Sequence, residues 1–185
     1  MPWGGKALQS TDRIGLALGG FMGTGKSTIG PLIAARLGLP FVDTDSLLTA
    51  ADGAIPLQFE RDGEAMFRAR ERAVIAALAA GPPAVVATGG GAWVDPENRR
   101  ALADWGRTVV LTAPLDVIRA RIGGDPSRPL AGRLEALYAE RQGVYALADR
   151  VVPTHGRAPA DIAEEICAWL TTTPSPSRSA GARTT

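Results

Sequence analysis

An α/β domain, with a five-stranded parallel sheet, helices on both faces and a phosphate-binding loop, is what this 185-residue sequence predicts. Three observations lead there. Short apolar runs alternate with longer helical patterns, the order of a parallel sheet covered on both sides. The first run, Ile14 to Leu18, leads into Gly20-Phe21-Met22-Gly23-Thr24-Gly25-Lys26-Ser27, the G-x-x-x-x-G-K-S spacing of a P-loop between strand and helix. The length suits one domain with a core of its own, and no internal repeat divides it.

Taken in order, strand 14–19 is the apolar run itself, and helix 26–37 opens on Lys26. Strand 40–42 is Pro40-Phe41-Val42. Residues 44–63 then break the alternation, with helical stretches and a turn at Ala51-Asp52-Gly53. Helix 64–80 follows, then Ala84-Val85-Val86-Ala87 as the third strand and helix 96–103. Strand 108–111 is Thr108-Val109-Val110-Leu111, with helix 114–122 after it. Residues 123–132, with Gly123, Gly124, Pro126 and Pro129 around Arg128, are expected to be a mobile charged lid. Helix 132–148, strand 150–152 and helix 159–171 complete the series. The folded body is expected to be a single P-loop domain over 13–171, with tails 1–12 and 172–185 disordered.

Composition removes several classes of function. Net charge is +1 with pI about 7.9, the basic residues are scattered and aromatics are few, so neither nucleic acid nor a membrane surface is an expected partner. No apolar run approaches the ~20 residues of a membrane span, and residues 1–13 lack the apolar centre of a signal peptide. One cysteine, Cys167, excludes an internal disulfide and suits a reducing cytoplasm. His155 is the sole histidine, which disfavours a zinc site or a Ser-His-Asp triad. A monomer is expected.

Ligands of parallel sheets collect at the carboxyl ends of the strands. At the first, the glycines let the backbone curl so that its N–H groups face a phosphate, and the following helix adds its positive end. Gly23, Thr24, Gly25, Lys26, Ser27 and Thr28 are therefore candidates for a nucleotide site, with Lys26 on the β/γ-phosphates and the Ser27 hydroxyl on Mg²⁺. Of 20 basic residues only Lys6 and Lys26 are lysines, so a chain that otherwise uses arginine has placed a compact ammonium here. After strand two stand Asp43 and Asp45. At i and i+2 of an extended segment they point to one side, where one can order Mg²⁺ and the other take a proton from a substrate hydroxyl. Either could instead cap a helix beginning near Ser46. After strand three, Gly89-Gly90-Gly91 let a ligand approach the backbone and expose N–H donors. Arg68 has Glu64 at i−4 and Glu71 at i+3, which by themselves read as a solvated face. Arg121 and Arg128 are candidates for nucleotide phosphates or base, while Arg141 by itself reads as a surface residue.

The series G-x-x-x-x-G-K-S-T, F-V-D-T-D, D-G-E-x-x-F-R-x-x-E, G-G-G, R-P-L and R-x-x-x-Y, in order from about Ile14 to Tyr145, resembles the shikimate kinase family. The resemblance implies a kinase domain of nucleoside-monophosphate-kinase-like fold over 13–171, with 44–80 as a substrate-binding segment and 123–132 as a closing lid, and ATP-dependent phosphorylation of the 3-hydroxyl of shikimate. It also implies roles. Asp45 would bind the substrate hydroxyls and act as base, with Asp43 near Mg²⁺. Arg68 and Arg141 would clamp the substrate carboxylate, with Glu71 supporting Arg68, and Gly89 to Gly91 would face the substrate. Arg128 would be the lid arginine on the phosphates, and Arg121 would lie beside the adenine. A gluconate or nucleoside-monophosphate kinase shares the loop and a lid but has no evident need of a carboxylate clamp. A nucleotide-binding module without activity would have no need of Asp45 and Arg128. Three departures from the family pattern, Gly143, Ala131 and Pro56, touch none of these groups.

Overall fold

A computed structural model of the chain describes residues 14–123 and 131–172. Five parallel strands, β1 (Gly15–Gly20), β2 (Phe41–Asp43), β3 (Val85–Ala87), β4 (Gly106–Thr112) and β5 (Arg150–Pro153), form one sheet in the order β2-β3-β1-β4-β5. β1 lies in the middle, with Leu18 opposite Ala87 of β3 on one side and Val109 of β4 on the other. The glycine-rich loop therefore leaves the centre of the sheet.

Side chains alternate across each strand, and both faces are covered, so the strands read as nearly continuous apolar runs. Leu16 and Leu18 of β1, Val85 and Val109 face α1 (Lys26–Leu37) and α7 (Pro159–Thr172), where Ile29, Ile33, Ile162 and Ile166 complete one core. Ala17 and Val86 face Ile75, Leu102 and Trp105, which belong to α3 (Ile55–Ala79) and α4 (Pro96–Trp105). Val110 packs with Phe21, Trp93, Ile118 and Tyr145, the last two from α5 (Leu115–Arg121) and α6 (Ala131–Tyr145). On the Ala17 face β1 is small throughout for a steric reason. A Cβ on Gly15 would stand 2.4 Å from the Trp105 ring, and one on Gly19 would stand 2.1 Å from Trp93 Nε1.

The two segments expected to break the alternation do so differently. Residues 44–63 hold the expected helical stretches and turn: α2 (Thr44–Asp52) starts directly at the end of β2 and ends at Gly53, and α3 begins at Ile55, nine residues before the helix start at Glu64 that the sequence suggests. Pro56 stands in the first turn of α3, where its missing N–H has no partner to lose. Gly63, at φ 78° and ψ 167°, breaks α3 into two stretches that meet at an angle. An L side chain resists that conformation, so a glycine sits there. Most of the proposed lid, 124–130, lies outside the described residues, and Arg128 with it. Among the described residues no helix is long and apolar enough to cross a membrane.

Candidate active site

The charged side chains that could bind or act on a ligand gather at the carboxyl edge of the sheet. After β1, Gly23 (φ 75°) and Gly25 (φ 100°) turn the backbone into the loop, and Thr24 closes it, its hydroxyl donating to Phe21 O at 2.8 Å. Lys26 Nζ bends back to donate to Gly20 O at 2.8 Å and Phe21 O at 3.0 Å, which holds the ammonium at the mouth of the loop. Loss of water draws its pKa down from 10.5 to about 8, against the pull of Asp45 and Asp43, which favour the charged form.

Asp43 fills both roles that the sequence leaves open. Its Oδ1 caps α2, accepting from the backbone N–H of Asp45 at 3.0 Å and of Ser46 at 3.2 Å. Its Oδ2 accepts from Ser27 Oγ at 3.0 Å. The two carboxylates are not brought together by an extended i, i+2 segment, however. Asp43 ends a strand and Asp45 lies in the first turn of a helix, so the abrupt β2–α2 junction places them. Burial, and then the charge of Asp43, push the Asp45 carboxyl above its ordinary range, with Lys26 and Arg68 opposing.

Two cavities meet at this point. The larger, about 650 Å³, runs from the loop past Asp43 to Arg121, Thr154 and Arg157. Arg121 spans its floor, donating to Gly23 O at 3.0 Å, to Thr154 Oγ1 at 3.2 Å and to Thr154 O at 3.3 Å. The smaller, about 210 Å³, lies between the first turn of α3, the glycine turn after β3 and α6. Met22, Lys26 and Asp45 line both. A group held in one therefore reaches a group held in the other past one ammonium and one carboxylate.

Arginines dominate the smaller cavity. Arg68 donates to Glu71 at 2.9 Å and to Glu64 at 3.3 Å, and its guanidinium lies over the Phe67 and Phe59 rings, 5.4 and 5.9 Å from their centroids. Glu71 is buried, so this pair is not the solvated face that the spacing alone suggests. Burial raises the Glu71 carboxyl while Arg68 pulls it back. Arg141 is no surface residue either: it is 9% exposed, lies over the Phe21 ring at 5.4 Å, and its buried Nε has no partner among the described residues.

The glycine triplet proves to be a matter of room. A Cβ on Gly89 would come within 2.6 Å of Asp45 Oδ1, one on Gly90 within 3.2 Å of an Arg141 nitrogen, and one on Gly91 within 2.6 Å of an Arg68 nitrogen. Each glycine thus clears space for one charged side chain. The N–H of Gly89 is not held out for a ligand; it donates to Thr44 Oγ1 at 3.1 Å. Sequence reasoning gives no role to several residues that line or brace the site. Met22 and Phe67 fall inside quoted motifs without a role of their own, Phe59 reads as ordinary core, and so does Trp93, whose Nε1 donates to Thr88 Oγ1 at 2.9 Å. Tyr145 is in the sequence only the end of a motif, yet its hydroxyl donates to Gly90 O at 2.9 Å and secures the turn, and burial pushes its pKa up to about 12.

Among known proteins, the family model described as shikimate kinase matches residues 22–171. The chain is 43% identical over 167 residues to the shikimate kinase of Geobacter sulfurreducens, covering 86% of this chain and 92% of that one. It is 45% identical over 158 residues to that of Paramagnetospirillum magneticum, covering 80% and 81%. A solved shikimate kinase from Acinetobacter baumannii, in complex with shikimate, superposes with a TM-score of 0.79 at 34% identity, covering 86% of this chain and 93% of that one.

Proposed function

This chain belongs to the shikimate kinase family of ATP-dependent kinases, and from that premise we propose that it transfers the γ-phosphoryl group of MgATP to the 3-hydroxyl of shikimate, giving shikimate 3-phosphate and ADP. The observation that carries this reading is the junction of the two cavities at Lys26 and Asp45. The larger takes the nucleotide, its phosphates against the loop N–H groups of residues 23–28 and Arg121 beside the base. The smaller takes shikimate, its carboxylate between Arg68 and Arg141, for which a planar guanidinium fork is the matching shape. Asp45 accepts the proton of the attacking hydroxyl, and a raised proton affinity suits it to that work. The hydroxyl oxygen bonds to the γ-phosphorus as the bond to the β,γ-bridging oxygen breaks, and ADP leaves with that electron pair. Lys26 stabilises charge on the phosphoryl oxygens.

Ser27 Oγ and Asp43 Oδ2, hard oxygens 3.0 Å apart at the loop mouth, fit Mg²⁺ and would hold it, Asp43 partly through water. When bound, the ion neutralises charge on the β/γ-oxygens. The protein acts as a cytoplasmic monomer; its single cysteine suits a reducing compartment, and sedimentation of the purified chain tests the monomer.

The reading is tested by ADP formation from MgATP with and without shikimate, alongside gluconate and AMP. Release that depends on shikimate alone is expected. Release only with another acceptor overturns the substrate, and no release with any acceptor overturns the kinase reading.

Two further outcomes follow. In Gly91→Ala the new Cβ displaces the Arg68 guanidinium from its place between Glu71 and Glu64. The KM for shikimate should rise on the order of ten-fold, with the ATP KM unchanged, since misplacement by ~1 Å is costly in a positioned site. The second concerns pH. Lys26 loses its proton above about 8 in the free enzyme, whereas bound phosphates favour the charged form and raise its pKa. Nucleotide affinity should therefore be level below pH 8 and fall by up to about ten-fold per pH unit above it. Calorimetry in buffers of differing ionisation enthalpy should show proton uptake on binding at pH 9 and little at pH 7.

A further inference from the structure

The smaller cavity has a wall made of two helical stretches that could move independently. Ile55 and Phe59 come from the part of α3 before Gly63, and Phe67, Arg68 and Glu71 come from the part after it. Gly63 leaves the backbone itself free to flex, since its left-handed φ is met by no neighbouring atom within 4 Å of a notional Cβ. Something else must set the angle between the two parts.

Arg70 spans that break. Its NH1 donates to Asp62 Oδ2 at 2.6 Å, and its Nε lies 3.5 Å from Asp52 Oδ2 at the end of α2. Asp62 and Arg70 are eight residues apart, about 12 Å of rise along a straight helix, so their contact exists only because α3 folds at Gly63. Arg70 also stands about 200° around the helix from Arg68. Arg68 points into the cavity, and Arg70 lines neither cavity. Arg61 pairs with the same carboxylate, its Nε donating to Asp62 Oδ1 at 2.9 Å and its NH2 to Oδ2 at 2.7 Å, but it lies on Asp62's own side of the break and is exposed. Arg70, Asp62 and Asp52 are partly buried, at 27%, 20% and 34% exposure. On the inner side Gln58, fully buried, donates through Nε2 to Leu48 O at 3.0 Å and Gly53 O at 2.8 Å, fastening α2 to the first part of α3. The second part has Arg70 as its polar tie to both.

We infer that Arg70 is a positioning residue for the acceptor site: by joining Asp52, Asp62 and its own helix across the Gly63 break, it sets the spacing of Phe59 from Phe67 and Arg68. The Phe59 and Phe67 rings, 4.5 Å apart between centroids, are the contact that this angle controls. The inference rests on shikimate as the acceptor of that cavity.

The test compares wild type with Arg70→Met, which keeps the aliphatic stem and removes the fork. The KM for shikimate should rise about three- to ten-fold, with kcat and the ATP KM within about two-fold, as suits a partly buried pair acting through geometry. Amide hydrogen exchange over residues 55–62 should quicken, and Arg70→Lys, which keeps the charge and loses the fork, should recover part of the KM. The Asp62→Asn/Arg70→Met double variant should be no worse than the poorer single variant. Unchanged exchange over 55–62 in Arg70→Met overturns the inference, as does quickened exchange with an unchanged KM. Wild-type turnover of shikimate, run alongside, separates the two failures: its absence overturns the substrate, while exchange still decides the tie across Gly63.

Discussion

Lys26→Ala lowers kcat by on the order of 10³-fold or more and leaves the fold in place. The size of the loss follows from what phosphoryl transfer asks of a protein, which is mainly position and charge, and a single donor aimed at developing charge carries 10²–10³ by itself. In this molecule the ammonium stands where both cavities open, between the loop carbonyls and Asp45, so no neighbouring cation takes its place without moving. It is the only lysine among the described residues. Lys26→Arg should lose nearly as much, because a planar guanidinium cannot enter the space between Gly20 O and Phe21 O. Truncation also relieves the desolvation that draws the Lys26 pKa down to about 8, so thermal stability should hold or rise. Steady-state kinetics with a parallel melting curve read both effects. A Lys26→Ala enzyme retaining a tenth of wild-type kcat would remove Lys26 from the chemistry.

Asp45→Asn is expected to lower kcat about 10²- to 10⁴-fold, the range of a lost general base, with ATP affinity at pH 7 little changed. The asparagine keeps the shape and a hydrogen-bonding oxygen, so shikimate still binds. What it loses is the ability to take the proton. A second readout separates this from a general disturbance. The Asp45 charge holds the Lys26 pKa up, so its removal should let that pKa fall below 8 and move the fall in nucleotide affinity to lower pH. An intact kcat would end the assignment of Asp45 as base. An unmoved pH profile would mean that the two groups do not feel each other.

How far the residues themselves announce this site depends on how local each feature is. The P-loop is legible because its geometry belongs to the backbone of eight consecutive residues, and Gly23 and Gly25 have the conformations that their spacing implies. The parallel sheet is legible because both of its faces are covered, which makes the strands apolar throughout. Helix 64–80 is legible without its first part, since Gly63 and Pro56 are signals of interruption that a tertiary fold can absorb, one as a bend and the other in a first turn. Arg68 and Arg141 show the limit. Taken alone, each sits among charged neighbours on a helix and reads as surface, and only the resemblance to a family suggests otherwise.

By itself, then, the sequence determined a phosphate loop, a parallel α/β sheet and the family, because these rest on local backbone geometry, hydrophobic period and ordered motifs. The tertiary structure alone decided that β1 lies at the centre of the sheet, and that Asp43 both caps α2 and meets Ser27. It decided too that each glycine of the triplet makes room for a different charged side chain, and that Arg70 ties three segments together. The physical reason is the same in each case: these are contacts between residues distant along the chain or turned by a bend, and neither spacing nor composition records where a fold will bring two atoms within hydrogen-bonding reach.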